Sequence, residues 1–407
     1  MDIHENKDWL LKGEEKIDYG KAVVVIGAGT AGIATAISTA RRGADVFLFE
    51  KTAHLGGTVV HCLIHTLGGL YDSSGEFINE GLPVELANRL LDASPHSHMR
   101  KIGRTQVLSV SPDVYQRVIE AWICEESKIK VFFKSKITCV EVENGLVRRI
   151  KVATPHRTIT LQPKVLIDTT GSAEIVRMID PGLVIDNHRR AAGGFIFQMR
   201  GVEPGTMKFP YSIELLRNIR RATQNGMLPR ECAMAWIDMG VYDDEVYGKL
   251  FVPLRVNWSK PEVLAEITRN VEGTMNELVA FLVSLPGFSK SKVSRTGKLG
   301  SRDGGQIKGE YCLTEVDVKC GQKFPDAACR CCWPIEYWDQ KKGVTLEYLP
   351  GGDYYEIPLR ALKVRDMENL WTAGKCLSAE PRAQASARIA GCCLAMGEAV
   401  GEAAVEY

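Results

Sequence analysis

The run AVVVI at 22–26 passes without a break into GAGTAG, and few sequence features restrict a chain's architecture more. A continuous apolar stretch of this length suits a strand buried on both faces of a parallel sheet. The glycines of the G-x-G-x-x-G pattern, Gly27, Gly29 and Gly32, then mark a tight turn that opens a helix. The first glycine permits the turn, the second lets a pyrophosphate approach the backbone, and the third lets helix and strand pack closely. The helix is predicted to run to about Arg42 through the small residues AGIATAISTA, with its positive end at Thr30 and Ala31 facing phosphates. ADVFLFEK supplies a second strand ending in Glu50, 18 positions after Gly32, where a carboxylate can accept hydrogen bonds from both ribose hydroxyls of an adenosine. A lone glycine pattern is weak evidence, but strand, glycines, helix, strand and terminal acid within one unit of about 30 residues specify a dinucleotide site.

A nicotinamide site would continue with further strand–helix–strand units of similar length. Here Glu50 is followed by KTAHLGGT, a glycine-rich loop in which no helix is expected, and this favours FAD. LFEKTAHLGGT resembles a segment of the FAD-dependent oxidoreductases with the glutathione-reductase-like flavin fold, and VLIDTTGSAEI (165–175) is similar to their second flavin motif. MENLWTAGKCLSAEPRAQASARIAGCCLAMGEAVGEAA (367–404) resembles their third. Family-like segments recur in the expected order between these, among them GGFIFQMRGVE (193–203), GEYCLTEVDV (309–318) and YEIPLRAL (355–362), so the resemblance spans roughly 20–405.

The resemblance implies that Lys51, Gly56, Gly57 and Thr58 pass along the pyrophosphate, and that Thr170, Gly171, Gly374 and Lys375 lie close to FAD. It also implies a helix starting near Ser386, with Ala387 and Arg388, whose N-terminus faces the flavin pyrimidine ring and stabilises negative charge there. VFFKSKITCVEVENGLVRRIKVAT (131–154) alternates as strands about a turn at Asn144-Gly145, and its first strand, carrying Ile137, is expected near the adenine.

The fold expected is therefore α/β: a discontinuous glutathione-reductase-like Rossmann domain from 21–182 and 364–407, a second, mainly antiparallel α+β substrate domain at 183–363, and a polar lead-in at 1–20. Helices are expected near 211–222, 261–269 and 274–285. No second strand–GxGxxG–helix unit follows, since GSRDGGQIKG (300–309) comes after basic polar sequence; a dedicated NAD(P)H domain is not expected.

Lys+Arg at 51 against Asp+Glu at 50 gives no electrostatic reason to expect nucleic acid or an anionic membrane as partner. The first twenty residues are polar and acidic, and no stretch of 18 consecutive apolar residues occurs, which points to the cytoplasm. The 12 cysteines are scattered and do not resemble a secreted disulfide framework, so most are expected reduced and buried as small hydrophobes. No metal site is expected, either from the C-x-C-C group at 329–332 or from His61, Cys62 and His65. The oligomeric state is left open.

GGTVVHCLIHTLGGL (56–70) should reach the flavin ring, which leaves four readings for His61 and His65: metal ligation, covalent FAD attachment, acid/base work and packing. Acid/base work is chemically apt, because a neutral imidazole can accept the proton that leaves a substrate as it is oxidised. Where relatives carry an arginine-rich segment on the substrate side, this chain has SRDGGQIKGEY and keeps Arg302, a candidate anion clamp. The expected function is an FAD-dependent dehydrogenase or oxidase that removes hydride and a proton from a small amine- or alcohol-type substrate, the flavin being reoxidised by dioxygen or a separate acceptor. The alternatives are a flavin monooxygenase or reductase using free NAD(P)H, a redox-neutral isomerase, and a non-catalytic structural flavoprotein.

Overall fold

The structure is a computed structural model that describes residues 22–186, 191–255 and 257–407. The polar lead-in at 1–20 lies outside these. A parallel sheet of five strands runs in the order Leu370–Thr372, Val165–Asp168, Val23–Ile26, Val46–Phe49, Ile129–Phe132, so both ends of the chain build it. Side chains alternate across this sheet. Val23, Val25, Val46 and Leu48 enter a core shared with the helix Thr30–Arg41, whereas Val24, Ile26, Phe47 and Phe49 enter a second core with Ile137, Ile150 and Val152. Burial on both faces is why these strands read as unbroken apolar runs.

The small residues of the first helix serve a close helix pair. A Cβ at Gly397 would lie 2.3 Å from the Ala31 carbonyl oxygen and one at Gly401 2.7 Å from that of Thr35, so the terminal helix Ala390–Glu406 lies backbone to backbone on Thr30–Arg41. The hairpin Lys136–Glu143 with Leu146–Ala153 turns through Asn144 (φ 51°) and Gly145 (φ 75°), both left-handed as a two-residue hairpin turn requires.

A second sheet, antiparallel and in the order Trp236–Met239, Glu245–Val252, Gly193–Arg200, Lys292–Thr296, carries a separate core with Phe195, Phe197, Leu250, Leu278 and Leu282. The helices Tyr211–Gln224 and Pro261–Val283 cover it.

Three expectations are corrected. The two helices at 261–269 and 274–285 are one, Pro261–Val283, because a buried stripe of Ile267, Val271, Met275, Leu278 and Leu282 continues through it. Gly273, between the two expected ranges, would meet nothing within 4 Å if given a Cβ, so it costs the helix only about 1 kcal/mol of propensity. No helix starts at Ser386: it lies near the end of the short helix Pro381–Ala387, and the long helix begins at Ala390. The loop after Glu50 does hold a helix, the single turn Gly57–His61.

Candidate active site

Two glycine turns interleave at the carboxyl edge of the parallel sheet. Gly27 has φ 101°, and a Cβ there would lie 2.7 Å from the Thr169 carbonyl oxygen; a Cβ at Gly32 would lie 1.9 Å from that of Gly27. These two glycines are packing requirements. Gly29 differs, because its nearest neighbour would be Gly57 Cα at 3.8 Å, which leaves open space beside it. Gly57 (φ 50°) would in turn drive a Cβ to 2.7 Å from Gly29 Cα, and the Gly56 amide donates to the Ala28 carbonyl at 2.9 Å. Gly29 is also the N-cap of the helix Thr30–Arg41, and no side chain caps it, so the first-turn amides around Thr30, Ala31 and Gly32 present the positive helix end to this open space.

Glu50 closes the rim. It is 6% exposed, and its two oxygens accept from the Ala28 and Thr52 amides, each at 2.8 Å. Each oxygen keeps a second lone pair for another donor. Lys51 is exposed and pairs with Glu174 at 3.1 Å, and Thr58 is exposed beside Gly57. On the neighbouring strand, burial pushes the Asp168 carboxyl up while it accepts from the Thr170 amide, the Thr170 hydroxyl and the Ile175 amide. That fixes the turn of Thr170 and Gly171 (φ 71°) against Gly27. Gly374 (φ 91°) would bring a Cβ to 3.1 Å from Ala31 Cβ, so the third motif reaches the same edge. Ile137 lies in the core behind it, 6% exposed.

Three cations, Lys375, Arg302 and Arg388, lie within electrostatic reach of Asp303. Lys375 Nζ donates to the Ser301 carbonyl (2.9 Å) and hydroxyl (3.0 Å). Arg302 Nη1 donates to the Ala192 carbonyl at 2.7 Å, and its guanidinium lies 3.5 Å above the Trp338 ring. Arg388 Nη2 donates to the Glu336 carbonyl at 3.2 Å. Each side chain is partly exposed. Burial lowers the pKa of all three, and the charge of Arg388 adds to it for Arg302, which falls to about 9. Two carboxylates oppose them. Glu336 accepts from the indole N–H groups of Trp333 and Trp338, and Asp303 accepts from the Ala191 amide at 2.8 Å. The second Asp303 oxygen is buried without a hydrogen-bond partner among the described residues.

The family model described as FAD dependent oxidoreductase matches residues 22–406. The chain belongs to this family of FAD-dependent oxidoreductases. No curated protein matches it. Among solved structures it is similar to a geranylgeranyl bacteriochlorophyll reductase-like protein from Thermoplasma acidophilum, with 16% identity and a TM-score of 0.50 over 94% of this chain and 77% of that one. It is also similar to pqsL, a probable FAD-dependent monooxygenase from Pseudomonas aeruginosa, with 12% identity and a TM-score of 0.45 over 94% of this chain and 85% of that one. The first likeness shows a shared fold.

The residues of this FAD-dependent oxidoreductase fit its cofactor: an uncapped helix end suits a pyrophosphate, the open side of Gly29 leaves room for it, and the fixed Glu50 carboxylate suits ribose hydroxyls. The structure separates the two histidines. His61 is half-buried with Nε2 3.1 Å from the Thr52 hydroxyl, on the Glu50 side, and burial together with Lys298 lowers its imidazole pKa. His65 is 1% exposed, with Nε2 3.1 Å from Asp238 Oδ2 and its ring stacked on Tyr247 at 3.9 Å and 8°. Burial and Lys249 push its pKa down to about 4, so the ring is neutral near neutral pH, donates from Nε2 to Asp238, and leaves Nδ1 as an acceptor without a partner among the described residues.

Ser386 and Ala387 are fully buried, and the Ser386 hydroxyl donates to the Trp333 carbonyl and accepts from Tyr355 at 2.8 Å, which commits it to its protein neighbours. Sequence reasoning missed Asp238, Trp338, Ser301 and Asp303. Only the last two carried any signal, as polar neighbours of Arg302 within a glycine-rich segment.

Proposed function

We propose that this oxidoreductase removes two electrons from a small organic anion, of the hydroxy acid or amino acid class, at a C–H bond next to oxygen or nitrogen. The observation that carries the reading is the grouping of Lys375, Arg302 and Arg388 around Asp303, with Glu336 beside the two guanidinium groups. Buried guanidinium groups recognise a carboxylate through paired, charge-assisted hydrogen bonds, which are strongest where water is excluded. Stacking on Trp338 and the bond to Ala192 hold Arg302 in one orientation, so it meets the anion without reorganising.

In this reading Gly27, Gly29, Thr30, Ala31, Gly32, Glu50, Lys51, Gly56, Gly57, Thr58, Thr170, Gly171 and Gly374 hold FAD, which when bound supplies the two-electron acceptor. Lys375, Arg302 and Arg388 hold and orient the substrate. His65 stays neutral, its tautomer fixed by Asp238 through Nε2, and holds the loop that carries it against the antiparallel sheet. His61, against Thr52 and beside Glu50, lies on the ribose side and takes no part in proton transfer.

Anaerobic titration of the purified holoenzyme tests the reading, using hydroxy acids, amino acids, uncharged amines and alcohols, and NADPH in separate runs. The expected result is bleaching of the flavin by a carboxylate-bearing donor and none by its methyl ester. Bleaching by NADPH alone would overturn the reading in favour of a monooxygenase or reductase.

A further inference from the structure

Cysteines 329, 331, 332, 392 and 393 gather where the strand Ala327–Cys331 packs on the terminal helix Ala390–Glu406, and two of them stand apart. Cys392 Sγ donates to Cys331 Sγ at 2.8 Å, roughly 0.8 Å beyond a disulfide bond length. Both residues are fully buried. No third ligand joins them, since no group of three metal-binding side chains exists among the described residues. Packing alone explains small residues here, but not two sulfurs turned toward each other.

The surroundings divide the pair chemically. Burial opposes ionisation of Cys331, yet hydrogen bonds from Cys392, Tyr355, the Trp333 amide and Ser386 outweigh it and hold its thiol below the ordinary value. The bond to Cys331, with burial, pushes the Cys392 thiol up. Burial also pushes up the neighbouring thiols of Cys329, Cys332 and Cys393. One attacking sulfur beside one resolving sulfur is the arrangement of a reactive dithiol. Cys331 is fully buried and is followed directly by partly exposed Cys332 and Trp333.

We infer that Cys331 and Cys392 form a redox-active dithiol that reduces a small hydroperoxide and closes to an internal disulfide. Cys331 thiolate attacks the distal peroxide oxygen, the O–O bond breaks, and hydroxide leaves with the Cys331 proton as water. Cys392 then attacks the resulting sulfenic acid, an S–S bond forms, and a second water departs. In sum two thiols and one hydrogen peroxide give one disulfide and two waters. The disulfide ties the start of the terminal helix to the strand preceding Trp333 and Glu336, whose carbonyls hold Ser386 and Arg388, so oxidation is registered at Arg388.

The test treats the wild-type holoenzyme with stoichiometric hydrogen peroxide, blocks remaining thiols and maps peptides without reduction. The inference expects about one disulfide per chain joining Cys331 to Cys392, reversed by dithiothreitol. Recovery of both as blocked free thiols, while exposed Cys124 and Cys320 are oxidised, would overturn it. So would oxidation of either to a sulfinic acid with no crosslink. In folded Cys392→Ser, a sulfenic acid should persist at Cys331 and be trapped by dimedone; a folded variant with no adduct contradicts the assignment.

Discussion

His65 Nε2 lies 3.1 Å from Oδ2 of Asp238, 173 residues further along the chain, and this bond ties the loop after the glycine turns to the antiparallel sheet. Asp238 is shared with Arg100 at 2.9 Å and Lys249 at 3.5 Å, which together with His65 hold its carboxyl well below the usual range against the opposing effect of burial. The site is thus built for a neutral imidazole facing an ionised carboxylate.

That state makes stability depend on pH. The folded His65 pKa, about 4, is below the unfolded value of 6.5, so the unfolded chain binds the extra proton first. The contribution is present above the unfolded value and is lost as pH falls toward 4, by up to about 3 kcal/mol at 1.36 kcal/mol per unit. Asp238 does not add to the loss there, since its folded pKa is depressed and its share is lost only at lower pH. Urea unfolding across this window should show the decline in the wild type and a flatter profile in His65→Gln. Parallel profiles would contradict the assigned state.

Replacing Glu50 with Ala leaves the buried Ala28 amide and the partly buried Thr52 amide without their acceptor, at roughly 1–3 kcal/mol for the buried one and less for the other. Glu50→Ala should unfold at lower urea than the wild type and purify with little FAD. Glu50→Gln, which keeps one acceptor oxygen, should fall between. An unchanged urea midpoint in Glu50→Ala would show that the rim is not held as described.

Removal of the Arg302 guanidinium should lower kcat/KM for a carboxylate donor by about 10- to 100-fold, the worth of a hydrogen bond to a charged group. Arg302→Lys keeps the charge but loses the planar stack on Trp338 and should recover only part of the loss. Steady-state kinetics on flavin-loaded variants measure this, and wild-type turnover by Arg302→Ala would remove the clamp.

What the sequence disclosed follows the range of each signal. The strand–glycine–helix–strand unit was legible because its parts are local: Val23–Ile26, the three glycines and Glu50 lie within one short stretch. The turn at Asn144-Gly145 was legible for the same reason. The helix Pro261–Val283 reads as two in the sequence, at 261–269 and 274–285, although nothing around Gly273 penalises a continuous helix. The position of Ser386 was misread because Tyr355 and the Trp333 carbonyl, which hold its hydroxyl, lie far away in sequence. His65 with Asp238, Arg302 with Trp338, and Cys331 with Cys392 are tertiary pairings that no local spacing encodes.

The flavin content of Gly29→Ala tests the central claim most directly. A Cβ at Gly29 finds its nearest neighbour at 3.8 Å, so the variant should keep the far-ultraviolet circular dichroism and unfolding midpoint of the wild type. The same methyl group fills the space before the uncapped helix end, so the purified variant should lack the visible flavin absorption that the wild type carries. A folded Gly29→Ala with full flavin, or a wild type that binds no FAD, would contradict the account.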